Sequence, residues 1–521
     1  MAAAITGAGA PDNPSAVDND VPTPRPVDPS REDGVVRGFA EAIGGPLGEH
    51  AATPRPYERW RNPARIIMIA ALLMFGLHWL QKSPCMDGAW ANNEQYAKFC
   101  YTDVLALYYA ERLNEGAVPY FDHRVEYPVL TGALMGIIGL PVHALGEQSE
   151  GLNEGKAFYN LNALVLIGFG LAAIAVTIAL RQRRPWDAML FVLAPTLVFT
   201  ATVNWDLFAV GLTAFFFYAW ARRRPVLAGV LLGLAAAAKF YPLFLAGPLI
   251  VLAIRTGRLR AALTTVGVAV LTWAAVNAPV YFGAHDGWTR FFELSSERPV
   301  DWGTFWYIGK EFPISPRDGG VGWQPFVDLA NNVPLLNSLS YVLFGLGCLG
   351  VLALGLQAPV RPRLAQLCFL VLALFLLTSK VWSQQFVLWL IPLAVLARPR
   401  WGAFLVWQVA ELAYFFGFYA HLLNLSNVYV IPEELYVYIS AARWWGLVIF
   451  CGFVVRDILR PELDVVRASY DGEDPDGGDF VRAPDDGWGL ARPDWLDSAA
   501  ARTWSRGREL AATARRRVTG T

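Results

Sequence analysis

The most polar stretch between two long apolar regions, residues 98–131 (KFCYTDVLALYYAERLNEGAVPYFDHRVEYPVLT), carries five carboxylates, two of which, Asp103 and Glu126, stand at the water–membrane boundary. Asp103 comes just before an apolar-aromatic run, residues 104–109, which places it at a helix start. Glu126 comes just before Tyr127-Pro128, where the chain turns back to apolar sequence. A carboxylate fixed at a water–membrane boundary can take a proton from a hydroxyl, so Asp103 is the candidate general base. Glu126 and Tyr127 are candidate substrate-binding residues. Plainer readings exist for the two carboxylates: Asp103 as a helix cap only, and Glu126 as the partner of Arg124.

Further candidates sit in breaks of apolar sequence. Asp206 ends the tripeptide Asn204-Trp205-Asp206, between two short apolar runs. An ionisable group at that depth is costly and by default faces a cavity. Lys239 interrupts LLGLAAAAKFYPLF. It would either snorkel to the interface or hold an anionic phosphate, a role that suits a compact ammonium charge. Lys380 and Gln384, with Gln385, lie in the polar turn 379–385. His123 and His143 read as interfacial polar residues. No HxxxH or carboxylate cluster has metal-ligand spacing, so no metal and no cofactor is expected. The sequence also lacks a Walker loop, GxGxxG and GxSxG, which weighs against nucleotide-dependent and serine-hydrolase chemistry. No nucleic-acid partner is expected.

The elements that position these groups are apolar helices. The chain has 521 residues, 55% hydrophobic and only 17% charged, whereas soluble domains carry roughly 25% charged residues. Apolar runs of about 15 to 25 residues, enough to cross a bilayer, recur between residues 66 and 455. The expected fold class is an all-α polytopic membrane protein with about twelve transmembrane helices. Residues 1–56, rich in Ala, Gly, Pro and Asp, and residues 461–521 are expected to be mostly disordered tails flanking a membrane domain at 57–460.

Charge sets the expected topology. Arg55, Arg59, Arg61 and Arg65 precede the first span and place its start in the cytoplasm. Arg181–Arg184, Arg222–Arg224, Arg255–Arg260, Arg361 with Arg363, and Arg398 with Arg400 mark further cytoplasmic turns. The polar loops 81–126 and 283–334, and the tips at Asn204, Lys239 and Gln384, then lie outside. Parity holds if residues 127–145 lie in the interface or re-enter without crossing. Cys85 and Cys100 share the first outer loop, where a disulfide is open to them.

This topology gathers Asp103, Glu126, Asp206, Lys239, Lys380 and Gln384 on one face. A base, a buried lysine and an aromatic-rich apolar wall suit sugar transfer from a lipid-linked phosphate donor. The 20 Trp and 19 Tyr offer stacking surfaces for sugars, although interfacial anchoring accounts for many of them.

The sequence also resembles a known family. Its parts are TDVLALYYAERL, NEGAVPYF, EYPVLTG, the Asn204-Trp205-Asp206 tip and GLAAAAKFYPLFLAGP, in that order. They are similar to the polyprenyl-phosphate-dependent glycosyltransferases of the GT-C fold, in particular glycosyltransferase family 87, which includes actinobacterial mannosyltransferases. The resemblance implies a GT-C-like helical bundle with juxtamembrane helices in the first outer loop. It also implies Asp103 as catalytic base and Lys239 at the donor phosphate. The family's Tyr-Pro-Pro reads Tyr127-Pro128-Val129 here, which leaves the subfamily and acceptor open. The expectation is a plasma-membrane transferase with an outward-facing site. It would move a hexose, mannose by resemblance, from a polyprenyl-phosphate donor to a lipid or glycan acceptor of the cell envelope, among membrane lipids. The alternatives are a transporter or flippase of lipid-linked precursors, which would show two repeated halves with broken helices, and a structural scaffold.

Overall fold

The computed structural model describes residues 27–45, 62–88, 90–312 and 322–485. In chain order its main helices are α1 (Gly34–Gly44), α2 (Pro63–Lys82), α3 (Asp103–Ala110), α4 (Val129–Gln148), α5 (Glu154–Leu180), α6 (Asp206–Ala221), α7 (Pro225–Ala238), α8 (Ala246–Thr256), α9 (Leu259–Gly283), α10 (His285–Glu297), α11 (Phe305–Glu311), α12 (Val333–Gln357), α13 (Leu364–Thr378), α14 (Val387–Ala397), α15 (Trp401–Leu425) and α16 (Glu433–Leu459). Among the described residues there is no strand, only an isolated bridge between Pro119 and His123. The all-α expectation holds. Among the described residues, seven helices are long and apolar enough to cross a membrane: α2, α4, α5, α9, α12, α15 and α16. Helices α6, α7, α8, α13 and α14 are apolar but shorter.

The short helices form the core. Nearly every residue of α6, α13 and α14 is buried, including Trp220, Phe369 and Trp389. The 14 residues of α7 rise about 21 Å, less than the ~30 Å hydrocarbon core of a bilayer. Irregular backbone at such depth is tolerated where protein surrounds it or where it lines a cavity. The breaks at 201–205, 239–245 and 379–386 are of this kind, and they carry the candidate polar groups. Close packing holds them: a Cβ on Gly229 or Gly233 of α7 would meet the Thr265 or Ala269 carbonyl of α9 at 2.5 Å. Small residues at such an interface let the helix backbones approach.

The Arg-rich turns gather at the other end and are covered by residues 461–485. Arg363 meets Asp464 at 2.7 Å, Arg255 meets Asp485 at 2.8 Å, and Arg181 pairs with Asp476. Trp220 Nε1 donates to the Gly477 carbonyl at 3.1 Å. These three acidic residues are the counter-ions of buried arginines. Residues 27–45 of the N-terminal segment are described as well. Asp33 caps α1, and its other carboxylate oxygen accepts from Trp401 N at 3.0 Å. The remaining tail residues, 1–26, 46–61 and 486–521, and residues 313–321 of the polar loop 283–334 lie outside the described residues. Residues 129–148, expected not to cross, form one continuous helix that is long and apolar enough to do so. Its Pro141 does not break it.

Cys85 and Cys100 form a disulfide, with Cα atoms 5.7 Å apart. The bridge closes the loop immediately ahead of Tyr101, Thr102 and Asp103.

Candidate active site

The start of α3 is stitched to the break before α6. Thr102, not Asp103, is the N-cap: its hydroxyl oxygen accepts from Val104 N at 3.2 Å. The same hydroxyl donates to the Thr202 carbonyl at 2.8 Å, and Asp103 N donates to the Val203 carbonyl at 2.7 Å. The capping role is therefore filled, and the half-buried Asp103 carboxylate is left for other contacts.

Those contacts run through Asn204. Asn204 Nδ2 donates to Asp103 Oδ2 at 2.8 Å and to the Tyr127 hydroxyl at 2.5 Å. Its Oδ1 accepts from Lys239 Nζ at 3.1 Å. Lys239 Nζ also lies 3.2 Å from Asp206 Oδ1, which accepts from Trp389 Nε1 at 2.6 Å. The ammonium sits over the Tyr127 ring at 5.2 Å and the Phe386 ring at 5.7 Å. A snorkelling lysine would reach for water; this one is held inward, with little side-chain exposure. One amide thus joins the candidate base, Tyr127 and the candidate phosphate-binding lysine.

Residues 135–379 match glycosyltransferase family 87. Over that stretch the chain is similar to family 87 glycosyltransferases, and the match supports a membrane glycosyltransferase. It takes in Asn204, Asp206 and Lys239. Asp103, Glu126 and Tyr127 precede it, and Lys380 and Gln384 follow it. A comparison with curated proteins found no match.

Opposing influences act on the Asp103 carboxyl. Burial pushes its carboxyl above the usual carboxylate range, while donors from Asn204 and Tyr101 and the charge of Lys239 act the other way. Gln385 Nε2 also approaches Asp103 Oδ2, at 3.4 Å. Glu126 is half-buried, and among the described residues no donor meets its carboxylate. Burial and then Asp103 raise its pKa, while Arg298, Lys239 and Arg290 oppose that shift. It does not pair with Arg124, which binds Glu293 and the Asp286 carbonyl instead. Behind it, burial raises Glu111 to about 7. Tyr127, Phe240, Trp288 and Phe291 line a small aromatic cleft beside Lys239.

Two candidates stand apart from this cluster. Lys380 Nζ donates to the Ser296 carbonyl at 3.0 Å, beyond which Arg298 continues the chain. Burial, followed by Arg298, lowers its pKa to about 8. Gln384 Nε2 points to the Tyr419 hydroxyl at 3.3 Å, so its neighbour Gln385 is the amide that reaches Asp103. The residues not singled out beforehand are Asn204, Tyr101, Arg290 and Arg298. Asn204 carried a signal, since an amide in a short apolar break needs a polar partner. Arg290 and Arg298 carried none, because nothing in a 52-residue loop tells which arginine turns inward.

Among the described residues no group of His, Cys, Asp and Glu could hold a metal ion. Cationic stabilisation of a leaving phosphate would rest on Lys239, with Arg290 and Arg298 nearby.

Proposed function

We propose that the protein transfers a hexose, mannose by family resemblance, from a polyprenyl-phosphate donor to a glycolipid or glycan of the cell envelope. The site would face outward from the plasma membrane. The observation that carries this reading is the Asp103–Asn204–Lys239 chain. It sets a base relieved of capping and a cation suited to phosphate on the two sides of one buried amide. In the proposed step the Asp103 carboxylate takes the proton of an acceptor hydroxyl. The hydroxyl oxygen forms a bond to the anomeric carbon of the donor. The bond from that carbon to the phosphate oxygen breaks, its electron pair stays on the polyprenyl phosphate, and Lys239 stabilises the charge.

The other groups take supporting roles in this scheme. Glu126, without a donor of its own, accepts a hydrogen bond from the acceptor sugar. Asp206 and Tyr127 fix the ammonium of Lys239. Lys380 and Gln384 shape the outer rim through Ser296 and Tyr419. Purified protein incubated with labelled polyprenyl-phosphate mannose and envelope lipid extract should give a labelled product that Asp103→Asn abolishes. Absence of any labelled product from the unaltered protein would refute the reading.

A further inference from the structure

Arg443 on α16 and Glu411 on α15 form an ion pair buried between two spanning helices, with Nε 2.8 Å from Oε2. A buried pair of this kind is a poor stabiliser compared with apolar residues of similar volume. Inside a membrane domain, ionisable groups mark function. The remaining hydrogen bonds show what this pair holds. Arg443 Nη1 donates to the Trp382 carbonyl at 2.8 Å and Nη2 to the Ser383 carbonyl at 3.1 Å. The guanidinium lies between the Trp382 and Tyr414 rings, 4.0 Å from each centroid. Glu411 is fixed in turn by Trp407 Nε1, which donates to Oε1 at 3.1 Å. The fork is therefore clamped on both faces. Its targets are the two carbonyls just before Gln384 and Gln385, where the backbone is extended rather than helical.

We propose that Arg443 is a positioning residue: its guanidinium fixes the 382–385 turn and through it holds the Gln385 amide against Asp103. The inference rests on the reading of Asp103 as the base. Arg443 itself touches no group of the Asp103–Asn204–Lys239 chain, and Glu411 serves as the counter-charge that lets a guanidinium sit in the interior. Gln385 approaches the oxygen of Asp103 that Asn204 also binds. A donor at that oxygen favours the ionised carboxylate, so release of the turn removes part of what keeps the base unprotonated.

Two variants separate the route from a general loss of fold. Arg443→Lys keeps a charge beside Glu411 but lacks the planar fork that meets two carbonyls. Gln385→Leu removes the amide and leaves Arg443 in place. The Asp103 carboxyl is titrated in purified protein by infrared difference spectroscopy, with Asp103→Asn identifying its band. Transfer from labelled polyprenyl-phosphate mannose to envelope lipid extract supplies kcat and donor KM. In each variant the Asp103 midpoint should rise by about one pH unit. The acid limb of kcat should move to higher pH by the same amount, donor KM should stay the same, and raising the pH should restore kcat. Should Arg443→Lys not fold, the paired Glu411→Gln/Arg443→Gln variant, which leaves no unpaired charge, gives the same reading. An unchanged midpoint in Gln385→Leu overturns the route. A shift in Gln385→Leu with none in a folded Arg443 variant overturns the role of Arg443. If the midpoints shift as expected but the unaltered protein transfers no sugar, positioning stands and the glycosyl-transfer reading fails.

Discussion

Asp103→Asn is the substitution that best separates chemistry from structure in this protein. In many helices an Asp at this place would be the N-cap, and its loss would cost about 1 kcal/mol of stability. Here Thr102 caps α3, and Asp103 N donates to the Val203 carbonyl whatever the side chain is. Asn has nearly the same shape, and its amide oxygen can still accept from Asn204. What is lost is the charge, and with it the ability to accept a proton at neutral pH. Loss of a positioned base lowers a rate by about 10²- to 10⁴-fold, or about 3 to 6 kcal/mol of barrier at ~1.4 kcal/mol per factor of ten. The stability change should be small by comparison, on the order of 1 kcal/mol, because a charged hydrogen bond becomes a neutral one while a buried charge is removed.

The assay has two arms. Transfer of label to envelope lipid gives kcat, and thermal unfolding gives stability. Asp103→Asn should keep donor binding and lose at least a hundredfold in transfer. Thr102→Val should do the reverse, losing about 1 kcal/mol of stability with the cap and little of kcat. The pH dependence follows from the direction of the Asp103 shift. Activity that needs the ionised base is present above its folded pKa and is lost as pH falls through it. Burial raises that pKa, so the acid limb should stand above the ordinary Asp value of about 3.9, and Asp103→Asn should abolish that limb. Near-full transfer by Asp103→Asn would refute the assignment and move the base to Glu126 or Asp206.

Lys239→Met should weaken donor binding about 10- to 100-fold, the value of a hydrogen bond from a charged donor. Because it leaves Asp206 unpaired, Lys239→Met/Asp206→Asn is the companion that keeps the fold, and unchanged donor dependence in both would reduce Lys239 to a structural role. Glu126→Gln should raise the acceptor KM several-fold, about what a neutral hydrogen bond contributes, with kcat nearly kept; a loss as deep as that of Asp103→Asn would make Glu126 the base. A cysteine placed at Arg183 should escape a membrane-impermeant reagent in intact cells, and its labelling would reverse the topology and the outward-facing site.

Helical class and the polar breaks were legible because apolar runs and their interruptions are local properties of a sequence. The disulfide was legible as an option, since Cys85 and Cys100 share one loop. The order of the cluster was not. The fact that Thr102 caps α3 depends on a hydroxyl 100 residues away from the carbonyl it also binds, and no spacing rule reaches that far. Gln384 and Gln385 are chemically alike, and which one faces Asp103 depends on the extended turn that Arg443 clamps. The partners of the acidic residues after 460 were not legible for a related reason. Asp464, Asp476 and Asp485 look like solvated charge in sequence, yet each meets an arginine buried at the Arg-rich end. Local composition carries no record of a counter-ion that arrives from a distant turn.

The same arrangement explains why base and cation are joined by an amide rather than by direct contact. In the proposed step, direct pairing of Lys239 with Asp103 would hold the carboxylate ionised but lower its basicity. Asp206, buried and bonded by Trp389, takes the pairing instead. Asn204 then spans the gap, donating to the base through Nδ2 and accepting from the ammonium through Oδ1. An uncharged bridge fixes the distance between the two and leaves the pairing of Lys239 to Asp206. Burial can then raise the pKa of Asp103 above the ordinary carboxylate range, and in the proposed step Lys239 offers a hydrogen to the leaving phosphate. Asn204→Asp would place a carboxylate between Asp103, Asp206 and Lys239, and Asn204→Leu would leave all of them misplaced. The amide is the side chain whose one end donates and other end accepts, and this site uses both ends.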